Sequence, residues 1–204
     1  MDEPALIHEA QAGDLTAFNR LVLAYQDQVY SVAYRIMGDQ PSASDATQEA
    51  FISAFRAIKR FRGGSFRAWL LRIVTNACYD EIRHRKRRPA SSLEEASEWS
   101  DGFSHQDDEA GWMDHPEPPE RAVERSELAS AIEDCLNQLP PEFKVVAVLA
   151  DVQGYEYAEV AQAIDSPLGT VKSRLARARS RLRDCLQGKG ELLPGKFRLK
   201  DETA

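Results

Sequence analysis

Residues 166 to 184, SPLGTVKSRLARARSRLRD, bring together six Lys or Arg and no acid before Asp184, in a chain of formal net charge -7. Cationic side chains crowded onto one helical stretch suit a polyanion, whose phosphates they pair with and whose counterions they release. A second such stretch lies upstream, where residues 56 to 88 hold eleven Lys or Arg against two acids, Asp80 and Glu81. It adds aromatics and an amide in FRGGSFRAWLLRIVTNACYDEIRHRKRR. Trp69 and Phe66 can stack on an unpaired base, Arg62, Arg67 and Arg72 can neutralise backbone charge, and Asn76 can read a base edge. Gly63 and Gly64, beside Ser65, let the backbone approach closely. Asp80 either shares the rim with Asn76 or pairs with Arg83 or His84. Covalent and metal chemistry have no comparable support. His8, His84, His105 and His115 are scattered, and Asp107, Asp108 and Glu109 fall in a run with no regular period to hold them rigid. No catalytic residue, metal or cofactor is therefore expected.

Helices must position these residues, because strand-like alternation is absent and Ala, Leu, Glu, Arg and Gln dominate. Apolar residues from Phe18 to Ile36 recur near a 3.6-residue period, and Gly38 ends that helix after Met37. After GDQPSAS, read as a turn, a second helix is expected from Asp45 to Phe61, broken by RGGS. Ser65 can cap a third, from Phe66 to about Lys86, with Phe66, Leu70, Ile73, Val74 and Ala77 inside. Residues 89 to 120 hold ten acids and no Lys or Arg. With their Ser and Pro they read as a flexible linker, although Leu93, Trp99, Phe103, Trp112 and Met113 are unusual in a pure spacer. Helical periodicity returns near Arg121 and puts Leu128, Ile132, Cys135, Leu136 and Leu139 on one face. PPE opens the next helix, with Phe143, Val146, Ala147 and Ala150 inside, and Gly154 interrupts it. Tyr157 to Ile164 follows, then the basic helix with Ser166 as N-cap and Pro167 in its first turn. The expected fold is all-α: two small helical domains, 1–88 and 121–187, joined by the acidic linker 89–120, with a tail at 188–204.

The bulk numbers agree with an ordinary globular chain, 204 residues long, 43% hydrophobic and 29% charged. No apolar run approaches the roughly 18 residues of a membrane span, and MDEPALIHEAQAGDL lacks a signal-peptide plan. Cys78, Cys135 and Cys185 are odd in number and far apart, and they sit inside apolar patterns. They are expected to be buried small hydrophobes in a reducing cytoplasm, not disulfide partners or metal ligands.

Two helices joined by a short turn form a helix-turn-helix, whose second helix can enter the DNA major groove. At about 100° per residue, Val171, Leu175, Ala178 and Leu182 share a narrow arc and pack inward. Ser173, Ala176, Arg177 and Ser180 point away, with Lys172 beside them and Arg174, Arg179 and Arg181 on the flanks. Small central residues allow approach to base edges, and the flanking bases can reach phosphates. Gly169 and Thr170 leave the helix N-terminus open to a phosphate.

With both basic stretches in place, the chain resembles the extracytoplasmic-function (group IV) sigma factors of bacterial RNA polymerase, in the sigma-70 family. Three stretches carry the resemblance: DATQEAFISAFRAIKRFRG, FRAWLLRIVTNACYDEIRHRKRR and LPPEFKVVAVLADVQGYEYAEVAQAIDSPLGTVKSRLARARSRLRD. It implies a promoter-specificity subunit that binds core RNA polymerase through the clamp coiled coil of the largest subunit and the flap region. Asp45, Gln48, Glu49, Ile52 and Phe55 match the clamp-binding surface. Arg62, Gly63, Gly64, Ser65 and Phe66 match the minus-10 pocket that takes a flipped base, with Asn76 contributing readout; Trp69, read above as able to stack, is placed with them. Lys172, Ser173, Ala176 and Arg177, beside Gly169 and Thr170, match the minus-35 readers. Promoter DNA and an anti-sigma factor are the further partners implied; membrane insertion and a small-molecule substrate are not.

A linker of some 30 residues has a typical end separation of about 30 Å and can stretch toward roughly 100 Å. Promoter elements about 17 base pairs apart are separated by roughly 60 Å, so both domains can reach. Two rival readings remain: a two-domain helix-turn-helix regulator acting on duplex DNA without core polymerase, and a nucleic-acid enzyme. The first leaves the aromatic, Asn-bearing stretch unexplained. The second lacks a positioned nucleophile.

Overall fold

The computed structural model describes residues 2–87 and 119–189, and every regular element among them is helical. Helix α1 (Glu3–Ala12) starts at Asp2, whose carboxylate accepts from the Ala5 amide at 3.3 Å. Helix α2 (Leu15–Met37) is capped by Asp14, which accepts from Thr16 and Ala17, and is closed by Gly38 at φ 83. The GDQPSAS stretch is not a turn but the start of α3 (Gln40–Ala57). Asp39 caps it by accepting from the Ser42 amide at 2.9 Å, and Pro41 falls within the first two positions. The first-turn amide that proline lacks would have had no partner, so a residue that breaks helices elsewhere begins one here. The chain then tightens into a 3-10 turn, Ile58–Arg60, short of the expected end at Phe61. Ser65 caps α4 (Phe66–Arg87) as expected, with Ala68 donating to its hydroxyl at 3.1 Å.

In the second half, α5 (Pro119–Asn137) begins just ahead of the expected Arg121. Helix α6 (Pro141–Ala147) runs into one wider π turn, Val148–Val152, where the Gln153 amide reaches back to the Val148 carbonyl. Gly154 ends it at φ 69. Helices α7 (Tyr157–Ala163) and α8 (Leu168–Gln187) follow, joined by a four-residue turn, 164–167. The expected Ser166 cap is absent. The cap position falls on Pro167, and Ser166 instead donates its hydroxyl proton to the Ile164 carbonyl at 3.3 Å, closing α7.

Helix α4 is the hinge of the packing. One side meets α2 and α3, and the other meets α7. One hydrophobic cluster therefore runs across both halves, joining Leu21, Val32, Ile36 and Val74 to Val148, Leu149, Val160 and Val171. A second, smaller cluster belongs to the C-terminal half alone: Leu136, Leu139, Phe143, Ala147 and Ala178, with Leu182 against it. The two helical units read from the sequence thus exist, but they are docked on one another.

The cysteine expectation is half right. Cys78 is free and fully buried, and burial pushes its thiol up to about 12. Cys135 and Cys185 form a disulfide between α5 and the last turn of α8, with Cα atoms 5.8 Å apart. Periodicity assigns each cysteine to an inward face, but the pairing depends on which helices cross, and 50 residues of chain separate the two. The linker, its aromatics, and the tail beyond Lys189 lie outside the described residues.

Candidate nucleic-acid and polymerase interfaces

Helix α8 presents the expected two faces. Val171, Leu175 and Ala178 are buried, whereas Gly169, Lys172, Ser173, Ala176 and Arg177 are exposed and Thr170 is half-buried. Ser173 donates to the Thr170 carbonyl at 3.0 Å, which holds its side chain close to the helix surface. Two of the flanking arginines are committed to contacts within the protein, which the sequence does not reveal. Arg179 makes a two-pronged pair with Asp151 at 2.9 and 2.5 Å and also reaches the Tyr157 hydroxyl. Arg181 lies over the Phe143 ring, 5.1 Å from its centroid. These two brace α8 against the π turn and α6, leaving Lys172 and Arg177 as the outward cations among the reading positions. Asp151 and Phe143 are the supporting residues that sequence reasoning missed. Asp151 precedes its partner by 28 residues, so no helical spacing could have linked them.

The loop before α4 is pinned from below. The Gln11 amide group donates to the carbonyls of Ile58 and Phe61 at 3.1 and 2.7 Å. Arg62, Gly63, Gly64 and Ser65 stand exposed above. Both glycines have left-handed backbone, φ 90 and φ 88, with open space where a Cβ would stand. Chain conformation, not crowding, demands glycine there. Phe66, assigned from the sequence both to the inner stripe of α4 and to base stacking, is only 2% exposed, so the stripe holds it. Its ring sits 5.3 Å from Trp69 and 5.6 Å from Phe61. Phe66 therefore builds the floor of the loop, and Trp69 is a half-buried wall. The reason is that Phe66 opens the apolar stripe of α4 and faces Tyr25 of α2 at 5.5 Å.

Asn76 is exposed one turn before Asp80, and Asp80 pairs with Arg83 at 3.3 Å, the plainer of its two readings. Of the arginines expected to neutralise backbone charge, Arg62 is free among the described residues. Arg67 stacks over Tyr155 at 4.3 Å, and Arg72 pairs with Asp165 at 3.3 Å. Both partners belong to the C-terminal unit.

On α3, Asp45, Gln48, Glu49, Ile52 and Phe55 all face solvent. Ile52 is 37% and Phe55 42% exposed, large apolar side chains beside two carboxylates, as suits a partner surface. Phe55 is steadied by an edge contact with Phe18, centroids 5.1 Å apart. The Ser53 hydroxyl donates to Glu49.

Among the described residues no group of three His, Cys, Asp or Glu could hold a metal ion, and no helix is long and apolar enough to cross a membrane. Residues 21–88 match the Sigma-70 region 2 family, and residues 129–182 match the Sigma-70, region 4 family. The chain is 37% identical over 172 residues to the ECF RNA polymerase sigma factor SigE of Mycolicibacterium smegmatis, spanning 84% of this chain and 62% of that one. It is 37% identical over 185 residues to the RNA polymerase sigma-H factor of Pseudomonas aeruginosa, spanning 89% and 92%. To the ECF RNA polymerase sigma-E factor of Escherichia coli it is 35% identical over 190 residues, spanning 92% and 95%. The fold is shared with CnrH, solved with the cytosolic domain of CnrY, at TM-score 0.61 and 23% identity over 90% of this chain and 96% of that one. It is shared also with the sigma factor RpoE of Bartonella quintana, solved with the anti-sigma factor NepR, at TM-score 0.59 and 22% identity over 84% and 98%. A regulator acting without polymerase is not favoured by these relatives. With regions 2 and 4 both matched in order, and full-length relatives above one third identity, the chain belongs to the extracytoplasmic-function sigma factors of the sigma-70 family, which direct promoter-specific transcription initiation.

Proposed function

We propose that residues 1–88 act as region 2, binding core polymerase and capturing the minus-10 element, and residues 121–187 as region 4, reading the minus-35 element. Residues 89–120 connect them, and the chain is a specificity subunit with no catalytic step of its own. The observation that carries this is the face of α8, where Lys172, Ser173, Ala176 and Arg177 all point to solvent opposite buried Val171, Leu175 and Ala178. A helix so braced offers its small residues to base edges and its cations to the groove walls.

Downstream, the loop Arg62–Ser65 offers an exposed glycine pair and a guanidinium above an aromatic floor. An unpaired base held there is favoured over the stacked one only if the contacts offset an extrusion cost of a few kcal/mol. Asn76 supplies the amide that reads its edge. Trp69, tied to Phe61 and Phe66, shapes the pocket and keeps it dry, so it is a poor test of readout. Asn76→Ala, at an exposed position, is the clean test. It lowers promoter opening about five-fold, the worth of one hydrogen bond of about 1 kcal/mol, and leaves polymerase binding unchanged. Permanganate reactivity of promoter thymines measures it, and normal melting would remove Asn76 from the pocket.

The acidic and apolar surface of α3 binds core polymerase. Paired reversal, Asp45→Arg with Glu49→Arg, weakens that complex about ten-fold, or about 1.4 kcal/mol, mainly through like-charge contact. Titration against sigma-free core enzyme reads this directly, and wild-type affinity would count against the surface. The reading as a whole is tested by transcription in vitro. Core enzyme plus this chain initiates at a defined start, and core enzyme alone does not. The sigma-factor/anti-sigma complexes among the related folds support an anti-sigma protein as a further partner.

A further inference from the structure

We propose that Gln11 is a positioning residue for the minus-10 pocket: its side-chain amide fixes the direction in which the chain enters the loop Arg62–Ser65, and so governs which unpaired base that loop accepts. This rests on the region 2 reading above. Gln11 is half-buried on α1, ahead of the matched span 21–88. No helical spacing links it to a loop entrance 50 residues further on.

The peptide unit is planar, so the Phe61 carbonyl and the Arg62 amide turn as one body. Gln11 Nε2 donates to that carbonyl at 2.7 Å and to the Ile58 carbonyl at 3.1 Å. The Ile58 carbonyl also accepts from the Phe61 amide at 3.0 Å, which closes the 3-10 turn. One amide group with two hydrogens thus ties the first carbonyl of the turn to its exit. Phe61 is held extended, at φ -68 and ψ 119. Contacts of its ring with Phe66 and Trp69 anchor the side chain but leave ψ, the rotation that aims the following residues, to the bond from Gln11.

The middle of the loop cannot hold its own shape. Gly63 and Gly64 have no side chains, and nothing lies within 4 Å of where a Cβ would stand on either. The shape is therefore set at the two ends. Ser65 fixes the far end, accepting from the Ala68 amide at its hydroxyl and from the Trp69 amide at its carbonyl, both at 3.1 Å. Gln11 fixes the near end. Helix α1 is a firm base for it, since Leu6 and Ala10 are buried and the Tyr25 hydroxyl donates to Glu3. The Tyr25 ring in turn meets Phe66, the floor of the pocket, so α1 supports both entrance and floor. A loop free to swing about Phe61 would still offer the charge of Arg62, which any sequence can use. It would lose the fixed placement that tells one base from another.

Gln11→Glu keeps the shape and length of the side chain and removes both donors. Gln11→Leu keeps its apolar bulk and removes the polar group. Both are expected to keep the helical circular dichroism and the affinity for core polymerase, because the α3 surface is untouched. Two readouts separate positioning from simple support. In the free chain with isotope-labelled glycine, amide nuclear Overhauser effects of Gly63 and Gly64 are expected to be those of rigid backbone and to fall in both variants. Those of Gly38 and Gly154 stay as they are. With core polymerase added, a single-stranded DNA pool randomised over the minus-10 element is sequenced after binding. The unsubstituted protein enriches one base at the flipped position, and each variant lowers that enrichment about five-fold, the worth of one hydrogen bond. If Gln11→Glu matches the unsubstituted chain in both readouts, the donors do not position the loop and the role is overturned. If the glycines loosen while enrichment holds, the bond does not govern base choice, which also overturns it. Should one variant fail to fold, the other decides; if both fail, Gln11 is a folding residue and not a positioning one. If the unsubstituted protein enriches no base, the minus-10 reading fails instead, and the glycine measurement, which needs neither polymerase nor DNA, tells the two failures apart.

Discussion

Breaking the Cys135–Cys185 disulfide lowers the stability of the C-terminal helical unit by about 4 kcal/mol. The bond closes a loop of 50 residues that contains α6, the π turn, α7 and most of α8. On the chain-entropy account, opening a loop of that size returns about 4 kcal/mol of freedom to the unfolded state. The loss matters because the unit's private core is small, five buried residues with Leu182 against them. Part of its remaining apolar surface, Val148, Leu149, Val160 and Val171, is covered by residues of the first unit. Cys185→Ser is the preferred variant, since Cys185 is only half-buried while Cys135 is 1% exposed. Hydrogen exchange of α6 and α8 amides in the oxidised chain, the reduced chain and Cys185→Ser measures the effect. Protection in reduced chain and variant should fall by the same large factor, with α2 and α3 much less affected. Equal protection of oxidised and reduced chains at α8 would show that the bond adds nothing there.

Arg177→Ala weakens minus-35 binding by about 1–3 kcal/mol and relaxes preference at the base it contacts. Its side chain is exposed on the outward face and makes none of the bracing contacts of its neighbours, so removing it costs little in folding. Arg179→Ala offers the contrast. Its guanidinium is committed to Asp151 and Tyr157, and an exposed pair of that kind contributes about 0–1 kcal/mol. That variant should lose a little thermal stability and bind all minus-35 sequences slightly less well. Holoenzyme binding to duplexes carrying single base changes separates the two. If both variants lose affinity equally across all sequences, Arg177 is a phosphate contact and not a base reader.

Both results probe differences that local sequence does not carry. The charge census singled out α8 but credited all its flanking cations alike, because Asp151 and Phe143 meet it only after the chain reverses through the turns at 153–156 and 164–167. Phe66 was legible as an apolar residue at the right period for the α4 stripe. Its second assignment, as a stacking side chain, does not fit its burial, since a base pocket and its floor draw on the same residue types. GDQPSAS was misread because Pro, Gly and Ser punctuate both turns and helix starts, and the deciding bond is from the Ser42 amide to Asp39. Where a signal is periodic or a cap is local, as at Gly38 and Ser65, sequence and structure agree.

The amino-acid sequence by itself determined the helical class, the two-unit plan, the inward and outward faces of α8 and the family, because each follows from short-range periodicity or from contiguous motif. Tertiary structure alone decided that the units share a core, that Lys144 is buried between them, that Cys135 meets Cys185, and which arginines remain outward. Those facts concern residues 28 to 108 positions apart. Contacts at such range are chosen by how whole helices cross, and no local pattern of side chains encodes the crossing.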